Sequence, residues 1–387
     1  MMILKSFAAT LLLGTSALAQ QAPSQTALTV AIGEKLDAIL EEKKLAGAVT
    51  LVAKDGEIIH HEAYGYADLE GKKPVQTDTI FRVHSMTKAV TTAAALMLFE
   101  EGKYALDDPV ANWIDAFGES DALKKITVES LMLHTSGLSY NIPGAAWAGS
   151  LEALVDHAAE MELTFEANDG WIYGISTDVL GRLVETWSGK SLGEFFEERL
   201  FAPLGMEDTG FTLPMEKRER FAKLYSDKGA GLVESGGRFQ MTYTEPIALC
   251  SGGGGLVSTA QDYFQFLQMI LDGGERSGKR YLKKETVAMM TTNRLPEGVK
   301  NIAFGQQERI GVGFGLGFNV VFEESEQWDT DAVKGEFGWG GAASCHYWAH
   351  PGENIAVITL EQTLPYNWNL ERALKGLIYE HLLETSS

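Results

Sequence analysis

Ser85-Met86-Thr87-Lys88 places a hydroxyl and an amine three residues apart, at the head of a long apolar run from Ala89 to Phe99. Residues i and i+3 share one helix face, so a helix here sets the Lys88 amine beside the Ser85 oxygen. A serine hydroxyl is a weak nucleophile until a neighbouring base takes its proton, and a lysine in a buried pocket can be that base. A backbone N–H at a helix N-terminus also stabilises negative charge. The pair therefore supports acyl transfer through a covalent serine intermediate. Alone, S-x-x-K is equally compatible with an N-cap serine and a surface lysine.

Four further blocks follow in order: Leu131-Met132-Leu133-His134-Thr135-Ser136-Gly137-Leu138, Trp171-Ile172-Tyr173-Gly174-Ile175-Ser176-Thr177-Asp178, Ser251 to Thr259 with four consecutive glycines, and Gly338-Trp339-Gly340-Gly341-Ala342-Ala343. In content, order and spacing the five blocks resemble the serine β-lactamase-like superfamily. The likeness is greatest to its class C β-lactamase branch and, within that, to the family VIII carboxylesterases. It extends from about Ala27 to the C-terminus.

The resemblance implies an active site in a cleft between an α/β lobe and an all-helical lobe. Tyr173 then stands across the cleft from Ser85 and shares in proton transfer with Lys88. The Ala342 N–H joins that of Ser85 as an oxyanion hole. Trp339-Gly340-Gly341 occupies the place of Lys-Thr-Gly in β-lactamases, so Trp339 replaces a cation with an apolar wall. Ile175 replaces the asparagine that holds a substrate amide. With Trp339, Gly340 and Gly341, Ile175 is expected at the substrate, and these replacements favour an uncharged ester over a lactam.

The elements that must position these groups are legible. Ala48–Ala53 and Ile58–Tyr64 flank Asp55-Gly56, the preferred pair for a tight hairpin turn, and a helix over about Thr29 to Lys44 precedes them. Residues 106–220 read as mostly helical, broken at Pro109, Pro143, Gly144 and Pro203. Strands return at Gly313 to Val321, Ser344 to Ala349 and Asn354 to Leu360, with Pro351-Gly352 turning the last two, and a helix over Leu370 to Leu383 closes the chain. Strands at both ends with helices between predict an α/β (α+β) fold. It has an antiparallel sheet flanked by helices and a helical lobe inserted at roughly 106–220.

Other motifs have structural readings. Gly189-Lys190-Ser191-Leu192-Gly193 matches a nucleophile elbow, but helix-like sequence precedes it and Ser191-x-x-Glu194 is a capping box. The superfamily resemblance implies that His134, in the His134-Thr135-Ser136-Gly137-Leu138 block, stands at a structural helix-to-loop junction. None of the eight histidines shows metal-ligand spacing, and the Ser251–Gly255 loop lacks the Gly-Lys-Ser/Thr of a phosphate loop, so no cofactor or metal is implied.

Lys5, the apolar Phe7 to Leu13 and Ala17-Leu18-Ala19 form the three parts of a secretory signal over residues 1–19, leaving Gln20–Ser387 as one hydrolase domain. Export to a periplasm is the expected destination. That apolar core is too short to span a bilayer, so no stable membrane insertion is expected. A formal net charge of −21 argues against nucleic acid as a partner. Cys250 and Cys345 could pair in an oxidising compartment; the sequence leaves that open.

These features point to a secreted serine hydrolase, a carboxylesterase acting on short-chain esters through an acyl-enzyme on Ser85. A class C-like β-lactamase or D-alanyl-D-alanine peptidase shares that chemistry. A catalytically silent cell-wall binding protein is the alternative of a different class.

Overall fold

Asp55 and Gly56 both adopt left-handed backbone conformations, φ 54° and 80°, and close the first hairpin in the two-residue turn their types favour. The structure is a computed structural model that describes residues 14–141, 149–229, 231–236, 243 and 249–383. The hairpin belongs to an eight-stranded antiparallel sheet. In spatial order its strands are Val312–Phe314, Asn319–Val321, Phe337–Gly341, Cys345–His350, Ile355–Glu361, Gly47–Lys54, Glu57–Asp68 and Lys73–Pro74. N-terminal and C-terminal strands meet mid-sheet, where Leu51 lies opposite Ile358.

The two-residue period of the strands sorts their side chains between two cores. Ala48 and Val52 pack with Leu28, Ile32 and Leu36 of the first helix and Leu370, Leu374 and Ile378 of the last. Val49, Leu51 and Ala53 face the larger core, which includes Phe264 and Leu267 of the helix Ala260–Leu271 and most of Thr87–Glu100. Between Leu106 and Arg220 the described residues form helices and turns, with no strand beyond isolated bridges. No described helix is long and apolar enough to cross a membrane.

Three boundaries differ from expectation. The first helix runs Gly14–Glu41, because the Ala- and Gln-rich segment before Thr29 also favours helix, and left-handed Lys43 (φ 56°) stops it early. Ala17-Leu18-Ala19 therefore lies within this helix, while Lys5 and Phe7 to Leu13 lie outside the described residues. The expected strand Gly313 to Val321 is a hairpin, Val312–Phe314 against Asn319–Val321, with left-handed Gly317 in its turn. The breaks expected at Pro143 and Gly144 also fall outside the described residues.

Candidate active site

The helix that carries Lys88 begins at Thr87, and Ser85 sits just before it in a 3-10 turn, His84–Met86. His84 adopts a left-handed φ of 44°, a conformation that costs a non-glycine residue about 1–3 kcal/mol. The turn is held by its surroundings: residues Thr87 to Leu98 are buried, the Thr87 hydroxyl donates to the His84 carbonyl at 2.6 Å, and the Leu256 N–H donates to that hydroxyl at 3.1 Å. From the sheet, strand Phe337–Gly341 abuts the turn. A Cβ on Gly341 would lie 2.4 Å from the Val83 carbonyl oxygen, so only glycine lets the strand approach this closely. Ala342 opens the turn after this strand, and Ser85, Trp339, Gly340, Gly341 and Ala342 line one cavity of about 390 Å³.

Lys88 is only 2% exposed and lies beneath that cavity. Its Nζ donates to Ser85 Oγ at 3.3 Å, to the Tyr140 hydroxyl at 2.8 Å and to the Gly253 carbonyl at 2.5 Å. The third contact explains the glycine block. Asp178 accepts hydrogen bonds from the Ser251 hydroxyl at 2.6 Å and the Gly253 N–H at 3.1 Å, folding the loop back over Lys88. A Cβ on Gly253 would meet Asp178 Oδ2 at 2.2 Å. Burial raises the Asp178 pKa, and the Lys88 charge acts against that rise. Sequence reasoning took Ser251–Gly255 for a turn entering a helix; it is also the brace of the amine.

Tyr173 comes from the segment that leads into the helix Ser176–Ser188 and lines the same cavity. Its ring stands 4.6 Å from Lys88 Nζ, and its hydroxyl accepts a hydrogen bond from Trp339 Nε1 at 3.1 Å. Trp339 was expected as an apolar wall; it is also a donor aimed at Tyr173. The residue that sequence reasoning missed is Tyr140. The residue is 51% exposed, yet its hydroxyl reaches into the cleft, bonds Lys88 and faces Tyr173 and Ser85. Desolvation of that end, then the neighbouring Tyr173 and Asp178, pushes this phenol well above its ordinary pKa. The available signal was its place two residues after Ser136-Gly137-Leu138.

Ile175 is a correction. Expected beside the substrate, it is 4% exposed, belongs to the hydrophobic core and does not line the cavity. Its apolar side chain gains more from the core than from a wet cleft. His134 is buried at φ 59° just after the helix Val128–Met132, with its ring against Tyr173, Trp171 and Phe314, and desolvation holds its pKa well below that of a free imidazole. Ser191 caps its helix: it accepts from the Glu194 N–H while Glu194 accepts from the Ser191 N–H. Cys250 and Cys345 are separate thiols, and burial pushes that of Cys345 up to about 12.

The far end of the cavity is aromatic and charged. Phe304, Trp328, Trp368, Arg309 and Arg372 line it, together with a buried cluster in which Lys375 contacts Asp329, Glu336 and Glu371 at 2.7, 2.7 and 2.9 Å.

Residues 32–377 match the protein family described as Beta-lactamase. The chain is 32% identical to the esterase EstB of Burkholderia gladioli over 86% of its own length and 91% of that protein. It is 28% identical to a lovastatin esterase of Penicillium rubens, covering 87% and 94% of the two chains. Among solved structures it is similar to EstCE1, a hydrolase with promiscuous acyltransferase activity, with a TM-score of 0.78 and 25% identity over 92% of this chain and 99% of that one.

Proposed function

This chain belongs to the Beta-lactamase family and is a serine hydrolase, and from that premise we propose that it is an exported carboxylesterase of short-chain esters. The single observation that carries the reading is Lys88 Nζ held between Ser85 Oγ and the Gly253 carbonyl, under a cavity walled by Trp339. Ser85 Oγ attacks the ester carbonyl, and its one proton is taken up within the Lys88–Tyr173 pair. The backbone N–H groups of Ser85 and Ala342 stabilise the negative charge on the carbonyl oxygen, each worth about 3–4 kcal/mol in such a site. The tetrahedral intermediate collapses, the same pair returns the proton to the departing alkoxide, and the acyl group remains on Ser85. Water then attacks the acyl-enzyme, giving up a proton by the same route and releasing the carboxylic acid. Tyr140 steadies Lys88 through both half-reactions.

Substrate choice follows from Trp339. A β-lactam presents a carboxylate close to the scissile amide, and an indole whose N–H is already given to Tyr173 offers it neither a cation nor a spare donor, a loss of roughly 1.5–3 kcal/mol. A short ester needs the oxyanion donors and an apolar wall. With purified enzyme, kcat/KM for 4-nitrophenyl butyrate should exceed that for nitrocefin by at least about tenfold. A lactam value above the best ester would replace this reading with the lactamase alternative.

Export rests on Lys5, the apolar stretch Phe7 to Leu13 and Ala17-Leu18-Ala19. Protein recovered from the periplasm or medium should begin at Gln20. Cytoplasmic protein with Met1 intact would contradict it.

A further inference from the structure

We infer that the far end of the cavity binds a carboxylate, so that the preferred ester carries a second, ionised carboxyl group several bonds from the scissile carbonyl. This rests on the esterase reading and adds the class of substrate. Arg309 is 7% exposed and lines the same cavity as Ser85. Its guanidinium carbon lies 4.4 Å from the ring centre of Phe304, 4.8 Å from Trp328, 5.4 Å from Trp368 and 5.7 Å from Trp339. Rings satisfy the faces of a guanidinium but not its in-plane N–H groups, which are the donors that match a carboxylate.

Those donors are only partly used. The Tyr366 hydroxyl interacts with the group, and among the described residues the Arg309 Nε has no hydrogen-bond partner and no carboxylate oxygen comes within ion-pair distance. A buried cation left in this state is costly. Desolvation lowers its pKa, and Tyr366 and then Glu371 only act against that fall.

The acidic groups nearby are already engaged. Asp329, Glu336 and Glu371 converge on Lys375, and Glu336 also accepts from the Tyr379 hydroxyl at 2.7 Å. A second guanidinium, the exposed Arg372, lies over the same two rings, 5.2 Å from Trp328 and 5.4 Å from Trp368. This end of the cavity therefore presents two cations on an aromatic platform.

Position separates this ligand from a β-lactam. Trp339 bonds Tyr173 through its Nε1 and meets Arg309 across its ring, so one indole stands between the tyrosine and the guanidinium. A lactam carboxylate is fixed next to the ring nitrogen, whereas a flexible dicarboxylic half-ester can place its carboxylate at a range of distances from the scissile carbonyl.

The test compares 4-nitrophenyl hexanoate with the 4-nitrophenyl half-ester of adipic acid, and phenyl acetate with 4-acetoxybenzoate, on the wild type and on Arg309→Met. These pairs place the carboxylate on the acyl and the alcohol side in turn. We expect Arg309→Met to lower kcat/KM for the charged member of at least one pair by about 30-fold or more, and for its neutral partner by less than about threefold. Equal loss within both pairs, or no loss, overturns the inference while leaving the esterase reading intact. Absence of Ser85-dependent turnover of every ester refutes the esterase reading itself. Should Arg309→Met fail to fold, inhibition of wild-type hexanoate hydrolysis decides. Adipate must act at concentrations at least about tenfold below adipamide; equal potency overturns the inference.

Discussion

Ser85→Ala is expected to lower kcat on 4-nitrophenyl butyrate by roughly 10⁴–10⁶-fold, with no change in fold or melting temperature. The size follows from the loss of the oxygen that the proposed mechanism uses to form the acyl bond, Ser85 Oγ, which lies 3.3 Å from Lys88 Nζ. Folding should survive because the turn is held by Thr87, Leu256 and the buried helix behind it, not by the serine hydroxyl. Labelling with a fluorophosphonate probe should disappear in parallel. Ser191→Ala supplies the contrast. It removes a helix cap, at a stability cost of about 1 kcal/mol, and should leave labelling and turnover near wild type. An active, labelled Ser85→Ala protein would end the assignment.

Tyr173→Phe is expected to lower kcat by about 10²–10⁴-fold, the range in which positioned acid–base groups act. The change deletes one oxygen and leaves the ring packed on His134, Trp171 and Trp339. Trp339 gives the prediction a second arm. Its Nε1 has the Tyr173 oxygen as partner, so Trp339→Phe should cost activity in the wild type and little more in Tyr173→Phe. KM for neutral esters should move much less than kcat, because the hydroxyl acts on the proton and not on the acyl chain. A Tyr173→Phe enzyme retaining most of its kcat would transfer the role to Tyr140, the phenol that bonds Lys88 directly at 2.8 Å.

The likeness to esterases of this family was readable because the five blocks are short, local and ordered along the chain. Asp55-Gly56 specified its turn, Ser191-x-x-Glu194 its cap, and the apolar run after Lys88 a buried helix, each through interactions spanning a few residues. The limits of the first helix and the splitting of Gly313 to Val321 into a hairpin were less legible. One left-handed residue, Lys43 or Gly317, decides each.

What the sequence determined by itself was a serine with an amine one turn away, the order of the motifs and the alternation that assembles an antiparallel sheet from both ends of the chain. These follow from local periodicity and from side-chain chemistry that does not depend on distant partners. Only the tertiary structure decided which groups meet in the cleft. It set Tyr140 on Lys88, the Gly253 carbonyl against the same amine, and Trp339 Nε1 on Tyr173, contacts between residues 52, 165 and 166 positions apart. It also sent Ile175 to the core and Arg309 to the cavity. Burial and long-range hydrogen bonding make those choices, and neither is written in the spacing of neighbouring residues.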